Sequence, residues 1–299
     1  YTNMLEAIST MLLDSIDQRL PNINMDIEGE NHKTVKDMWW KLLYTLFTAT
    51  AIGYLYAKRK DNRMFHLIKP MPVIILGYVV LLWCSVHNIP IKSLWQLIVP
   101  HNPSDYAIYV SLGLFLSAIG DLFLIWDEAL IPGIIFFLTA HLSFILAFTA
   151  DSNSLSQFFT PLVVLFLVAF NIFFVYLFVT QLVPVFNENT NKRPVAVVLF
   201  FYFAVILTMC YTASVKALTK MVAHWHLSAN WSTLAIYSWC GAIGAVIFFI
   251  SDLMIVVREL NALKANKVST FRKFLGNGDV GIITYWVGQF CIALSVASI

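Results

Sequence analysis

An all-α polytopic membrane protein is the fold class this sequence predicts, and three observations predict it. Hydrophobic residues make up 59% of the 299 residues and charged ones 12%, too little polar surface to clothe a water-soluble globule. Apolar windows near the ~20 residues needed to cross the hydrocarbon core recur along the chain, eight in all. Within each window the apolar run is continuous, whereas a barrel strand would alternate lipid-facing and lumen-facing residues.

The chain divides into a polar N-terminal segment, residues 1–37, and an eight-helix transmembrane domain, residues 38–299. In the first part Leu5, Ile8, Leu12, Ile16 and Leu20 recur at helical spacing, with Glu6, Asp14 and Asp17 on the remaining surface. An acidic amphipathic helix gains nothing from anionic headgroups, which favours docking on the protein or disorder over surface anchoring. It lacks the basic start and unbroken apolar core of a signal peptide. The spans follow at 39–57, 70–86, 106–126 and 130–150, then 162–183, 195–213, 233–257 and 280–299. Cys84, Cys210, Cys240 and Cys291 all fall inside spans, where no loop disulfide framework is built, and no metal-binding CxxC pair is present.

Loop charges orient the bundle. The loops after the first, third, fifth and seventh spans hold Lys58, Arg59, Lys60, Arg63, Lys69, Lys192, Arg193, Arg258, Lys264, Lys267, Arg272 and Lys273. Those on the other face hold Lys92, Lys216 and Lys220, and twelve against three makes the first group cytosolic.

Asp121 and Asp252 are the two acids that lie well inside spans. A carboxylate at bilayer depth costs at least ~2.5 kcal/mol even on the lenient insertion scale, so the pair is a functional-site expectation by default. Each occupies a similar motif, Ile119-Gly120-Asp121-Leu122 and Ile250-Ser251-Asp252-Leu253, about six residues before a charged cytosolic boundary. At 1.5 Å per residue both sit roughly 8 or 9 Å inside that boundary. Lys69, Tyr202, Tyr285 and Gln289 approach the same layer from other spans, with His141 and Asn171 nearer the middle of theirs. A wet, polar cavity in the cytosolic half of the bundle would satisfy all of them, and lipid would satisfy none. Gly113, Gly120, Gly241, Gly244 and Ser251 allow the helices to approach closely. The bland alternative is interhelical bonding, and a lone intramembrane histidine is more often a packing residue than a catalyst.

These residues resemble a family, the YhhN-like membrane proteins, which include animal lysoplasmalogenases. The resemblance runs from about Lys69 to the C-terminus. It is carried by Lys69-Pro70-Met71-Pro72, by Ser117-Ala118-Ile119-Gly120-Asp121, and by Gly133, Phe137, His141 and Phe144. Farther on, Gly241-Ala242 leads into Phe248-Phe249-Ile250-Ser251-Asp252, and Thr284-Tyr285 precedes Gln289. Trp286 stands where the family pattern suggests a tyrosine, and Gly288 where an alanine is usual.

The resemblance implies hydrolysis of the vinyl ether bond of lysoplasmalogen to a fatty aldehyde and glycerophosphocholine or glycerophosphoethanolamine. A vinyl ether is cleaved by protonating its distal alkene carbon, and the resulting oxocarbenium ion is captured by water. One acid and one carboxylate can divide that work, as paired carboxylates do in glycoside hydrolysis. Asp121 and Asp252 are the expected pair, Tyr285 and Gln289 orient substrate or water, and Lys69 meets the headgroup phosphate as a point charge. His141, Tyr202 and Asn171 complete the expected binding set. No cofactor is required and no metal site is expected, since the chain has no His-Glu-x-x-His. The expected partners are the lysophospholipid substrate and membrane lipids, with no nucleic acid, and a homo-oligomer is compatible with the bundle. An internal membrane such as the endoplasmic reticulum follows from the resemblance and its lipid substrate. The competing reading is a proton- or cation-coupled transporter or channel that uses the same aspartates. A presenilin-like protease is disfavoured, because Ala118-Ile119 precedes Gly120-Asp121 where Gly-x-Gly-Asp would be needed.

Overall fold

A computed structural model describes residues 27–59, 65–86, 103–126, 129–150, 193–225, 233–263 and 278–299, with short helical pieces between 164 and 180. The expected amphipathic helix over residues 5–20 and most of the fifth span lie outside the described residues. Helices account for the rest: α1 (Ile27–Arg59), the short α2 (Phe65–Ile68), α3 (Met71–Val86), α4 (Pro103–Phe123), α5 (Leu130–Ala150), α6 (Arg193–Trp225), α7 (Thr233–Leu263) and α8 (Gly278–Leu294). A 3-10 turn over Ser295–Ser298 continues α8.

Among the described residues, six helical stretches are long and apolar enough to cross a membrane: His66–Ser85, Asp105–Phe123, Leu130–Ala150, Val197–Val222, Ile236–Ile255 and Gly278–Ser298. The chain is thus a helical protein of polytopic membrane character. The first expected span lies within α1, which begins at Ile27 and so takes in part of the segment that the sequence sets apart as polar.

Local signals explain where the helices start. Pro103 and Asp105 stand in the first turn of α4, where a missing N–H is harmless and negative charge meets the positive end of the helix dipole. Pro70 lies in the turn between α2 and α3, and its carbonyl accepts from the N–H groups of Val73 at 3.1 Å and Ile74 at 3.0 Å, which launches α3. Asp279 in the first turn of α8 meets Lys58 in the last turn of α1 at 2.5 Å, each beside the helix end that suits its charge.

Six helices close into a ring, each against the next in the order α3, α4, α5, α6, α7, α8 and back to α3, while α1 packs outside on α3. Phe290 of α8 takes Tyr44 and Phe47 of α1, and Trp286 takes Tyr54. Small residues set the two tightest seams. A Cβ on Gly244 would lie 2.8 Å from the Gly288 carbonyl across α7 and α8, and one on Gly120 would lie 2.8 Å from the Phe137 ring and 3.3 Å from the Gly133 carbonyl across α4 and α5.

One expected boundary is corrected. The sixth span, expected to end at 213, belongs to a helix that continues to Trp225. Lys216, expected in a loop, is therefore helical and only 6% exposed. Val215 and Ala217 on either side of it are buried as well, which keeps the helix in contact with its neighbours.

Candidate active site

Asp121 and Asp252 stand near the same end of two parallel helices. Asp121 is close to the end of the span Asp105–Phe123 and Asp252 close to the end of Ile236–Ile255. α8 runs antiparallel to both: Gly288 meets Gly244 and Gly281 meets Met254 on α7, while Tyr285 reaches Asp121 and Ser295 reaches Tyr106 on α4. The side chains of both aspartates are buried, Asp121 at 2% exposed and Asp252 at 5%. Their carboxylates are near enough to interact electrostatically.

Each carboxylate is served by one phenol and one basic side chain. Tyr285 donates to Asp121 Oδ2 at 2.8 Å, and Lys69 Nζ lies 2.8 Å from Asp121 Oδ1. Tyr202 donates to Asp252 Oδ2 at 2.5 Å, and His141 Nε2 lies 2.9 Å from the Tyr202 hydroxyl and 3.5 Å from Asp252 Oδ2. These bonds satisfy carboxylate oxygens that lipid could not, which is what lets two acids lie at this depth.

The two halves meet across an aromatic wall. The Phe248 ring, one turn before Asp252 on α7, lies edge-on to His141 at 4.8 Å and to Tyr285 at 5.3 Å. Phe137 of α5 closes the same wall against Tyr285 at 6.0 Å. Lys69 is the member that reaches the surface, with 19% of its side chain exposed. It stands in the turn between α2 and α3 rather than inside a helix. The arrangement places two buried carboxylates, each with hydrogen-bond donors, on either side of an aromatic wall, with the Lys69 ammonium on the more exposed side.

Lys69, Asp121, His141, Tyr202, Asp252 and Tyr285 are thus brought together. Gln289 is wholly buried one turn beyond Tyr285. Asn171 lines a groove with Val168, Ile172 and Val175. Among the described residues no three of His, Cys, Asp and Glu converge as a metal ion would need. The wall residue Phe248 falls within the motif that leads to Asp252, but a phenylalanine in an apolar span gives no sign by itself of facing a site.

Residues 64–296 match the YhhN family. The chain belongs to the YhhN family. A relative from Dictyostelium discoideum, described as a lysoplasmalogenase homolog, is 53% identical over 267 residues, covering 87% of each chain. No solved structure matches the chain. The YhhN match takes in both aspartates and all their partners, whereas α1 lies outside it.

A second buried polar group lies at the other end of the ring. Asp105 is 0% exposed, Lys216 Nζ sits 3.2 Å over the Tyr106 ring, and the Tyr106 and Ser295 hydroxyls are 2.6 Å apart. This cluster joins α4, α6 and the end of α8. The signal for it in the sequence is the apolar run on both sides of Lys216.

Proposed function

We propose that this protein is a lysoplasmalogenase, hydrolysing the vinyl ether of lysoplasmalogen to a fatty aldehyde and glycerophosphocholine or glycerophosphoethanolamine. The observation that carries this reading is the pair of buried aspartates at one level, each with a tyrosine and a basic partner. The relative described as a lysoplasmalogenase homolog supports the same substrate class.

The chemistry follows from the pair. One aspartic acid donates its proton to the distal alkene carbon, and the opposite carboxylate stabilises the positive charge that develops. Water adds to the oxocarbenium carbon and yields its proton to that carboxylate, giving a hemiacetal. Collapse returns one proton to the departing glycerol oxygen and one to the first aspartate, so one water is consumed and both groups are reset. Tyr202 and Tyr285 hold the carboxylates in place, His141 steadies Tyr202, and Lys69 meets the headgroup phosphate at the surface. The site opens toward the cytosol in an internal membrane, in keeping with the loop charges.

The test is purified protein incubated with choline and ethanolamine lysoplasmalogens, with free aldehyde as the readout. The intact protein is expected to release aldehyde. Asp121→Asn and Asp252→Asn are each expected to lose roughly 10²- to 10⁴-fold in turnover with an unchanged melting profile. Full activity in either variant overturns the dyad. No aldehyde from the intact protein, together with proton or cation flux in vesicles, moves the assignment to transport.

A further inference from the structure

Two buried polar side chains beside the aspartates have no part in the reaction as written. Ser117 and Gln289 are both 0% exposed. Among the described residues the Ser117 hydroxyl has no hydrogen-bond partner, and the Gln289 amide, close enough to the Tyr285 phenol to act on it, makes no hydrogen bond of good geometry. Unbonded polar atoms so deep are costly, and a pair of them calls for a bound group. Many hydroxyls in the bundle avoid that cost by bonding a carbonyl on their own helix, as Thr139 does to Ile135 at 3.1 Å, Thr208 to Ala204 at 2.9 Å and Ser251 to Phe248 at 2.8 Å; Ser238 and Ser298 share the unbonded state of Ser117 but lie far from the aspartates along their helices. Ser117 makes no such bond.

Helix register fixes where the two groups lie. α4 and α8 are antiparallel and joined by the Tyr285–Asp121 bond. Ser117 is one turn before Asp121 on α4, and Gln289 is one turn after Tyr285 on α8. Both steps lead to the same level, on the faces that the two helices turn to each other. Serine offers a donor and an acceptor there, and the amide offers both again. Two to four such partners are what a buried water requires. One turn before Asp252 stands Phe248, which offers no polar group; the Ser251 hydroxyl, 3.5 Å from Asp252 Oδ1, already donates to the Phe248 carbonyl, and the unbonded atom on that side, His141 Nδ1, belongs to the ring that meets Tyr202.

We infer that Ser117 and Gln289 hold the hydrolytic water against Asp121, which makes Asp121 the general base and Asp252 the general acid. This rests on the lysoplasmalogenase reading. Asp252 gives its proton to the distal alkene carbon. The water oxygen then bonds to the oxocarbenium carbon while Asp121 takes a proton from it. Asp121 passes that proton to the departing glycerol oxygen, and the hemiacetal hydroxyl returns one to Asp252.

The experiment uses the full chain, lysoplasmalogen and added methanol, which competes with water for the oxocarbenium carbon and leaves a mixed acetal. Ser117→Ala and Gln289→Met are expected to lower kcat roughly 10- to 100-fold with little change in KM. Both are expected to raise the ratio of mixed acetal to aldehyde. Azide bonds that carbon without needing a base, so it is expected to restore turnover to Asp121→Asn, as an azido ether, and not to Asp252→Asn. Wild-type kcat and partition ratio in the folded variants, or azide rescue of Asp252→Asn instead, overturns the inference while the lysoplasmalogenase reading stands. No aldehyde from the intact protein overturns both.

Discussion

Tyr202 and Tyr285 give the site its symmetry, since each donates to one aspartate from a different helix. Removing a hydrogen bond to a charged group costs about 1.5–3 kcal/mol, so Tyr202→Phe and Tyr285→Phe are each expected to slow turnover roughly 10- to 100-fold. Rates of aldehyde release equal to the intact protein in both would remove the phenols from the chemistry. Lys69→Met is expected to act differently, raising KM for the phosphate-bearing substrate more than it lowers kcat. A kcat loss with KM unchanged would place Lys69 in the reaction rather than in headgroup binding. The sequence made these residues legible because each is anomalous in lipid: an acid, a base or a polar tip needs a reason to be there. Ser117 and Phe248 stand in the motifs before the two aspartates, yet a serine or a phenylalanine in a span is ordinary, so the motif alone gave neither a role. Asp105 was hidden for another reason, standing at a span edge where an acid passes for an ordinary helix start.

At the scale of helices, the seam between α7 and α8 is where packing is least forgiving. A Cβ on Gly288 would lie 2.9 Å from the Phe248 backbone nitrogen and 3.0 Å from the Gly244 carbonyl, and backbone cannot rotate away. Gly288→Ala is expected to destabilise by about 1–3 kcal/mol and, because Phe248 faces His141 and Tyr285, to reduce activity too. Gly53, which has nothing within 4 Å of an added Cβ, is the control, and Gly53→Ala is expected to melt with the intact protein. Equal melting temperatures for the two variants in detergent would refute this account of the seam. Span positions were read well where charge bounds the apolar run, as at α5, whose limits coincide with the expected 130–150. At α6 a lysine within an apolar run looks like a boundary in the sequence, but burial of Lys216 against Tyr106 lets the helix pass straight through it.

For the molecule as a whole, the ring explains how a site so near one end stays buried. Helices on all sides and the Phe248 wall leave the Lys69 turn as the part of the site in reach of the surface. α1 lies outside both the ring and the family match, yet it stacks on Phe290 and Trp286 of α8, so its loss is expected to loosen the helix that carries Tyr285. The two bonds between α4 and α8 have a mechanical consequence. Asp121 is tied to Tyr285 at one end and Tyr106 to Ser295 at the other, about 22 Å apart along α4. Helices fastened at both ends resist movement along their axes, so a piston stroke of α4 would break both fastenings at once. The hypothesis that follows is that lipid enters by a hinged swing of the Lys69 turn. Spin labels on α4 and α8 are expected to keep their spacing when a non-hydrolysable ether lipid binds, while a label on α2 moves; axial travel between α4 and α8 would show a piston instead.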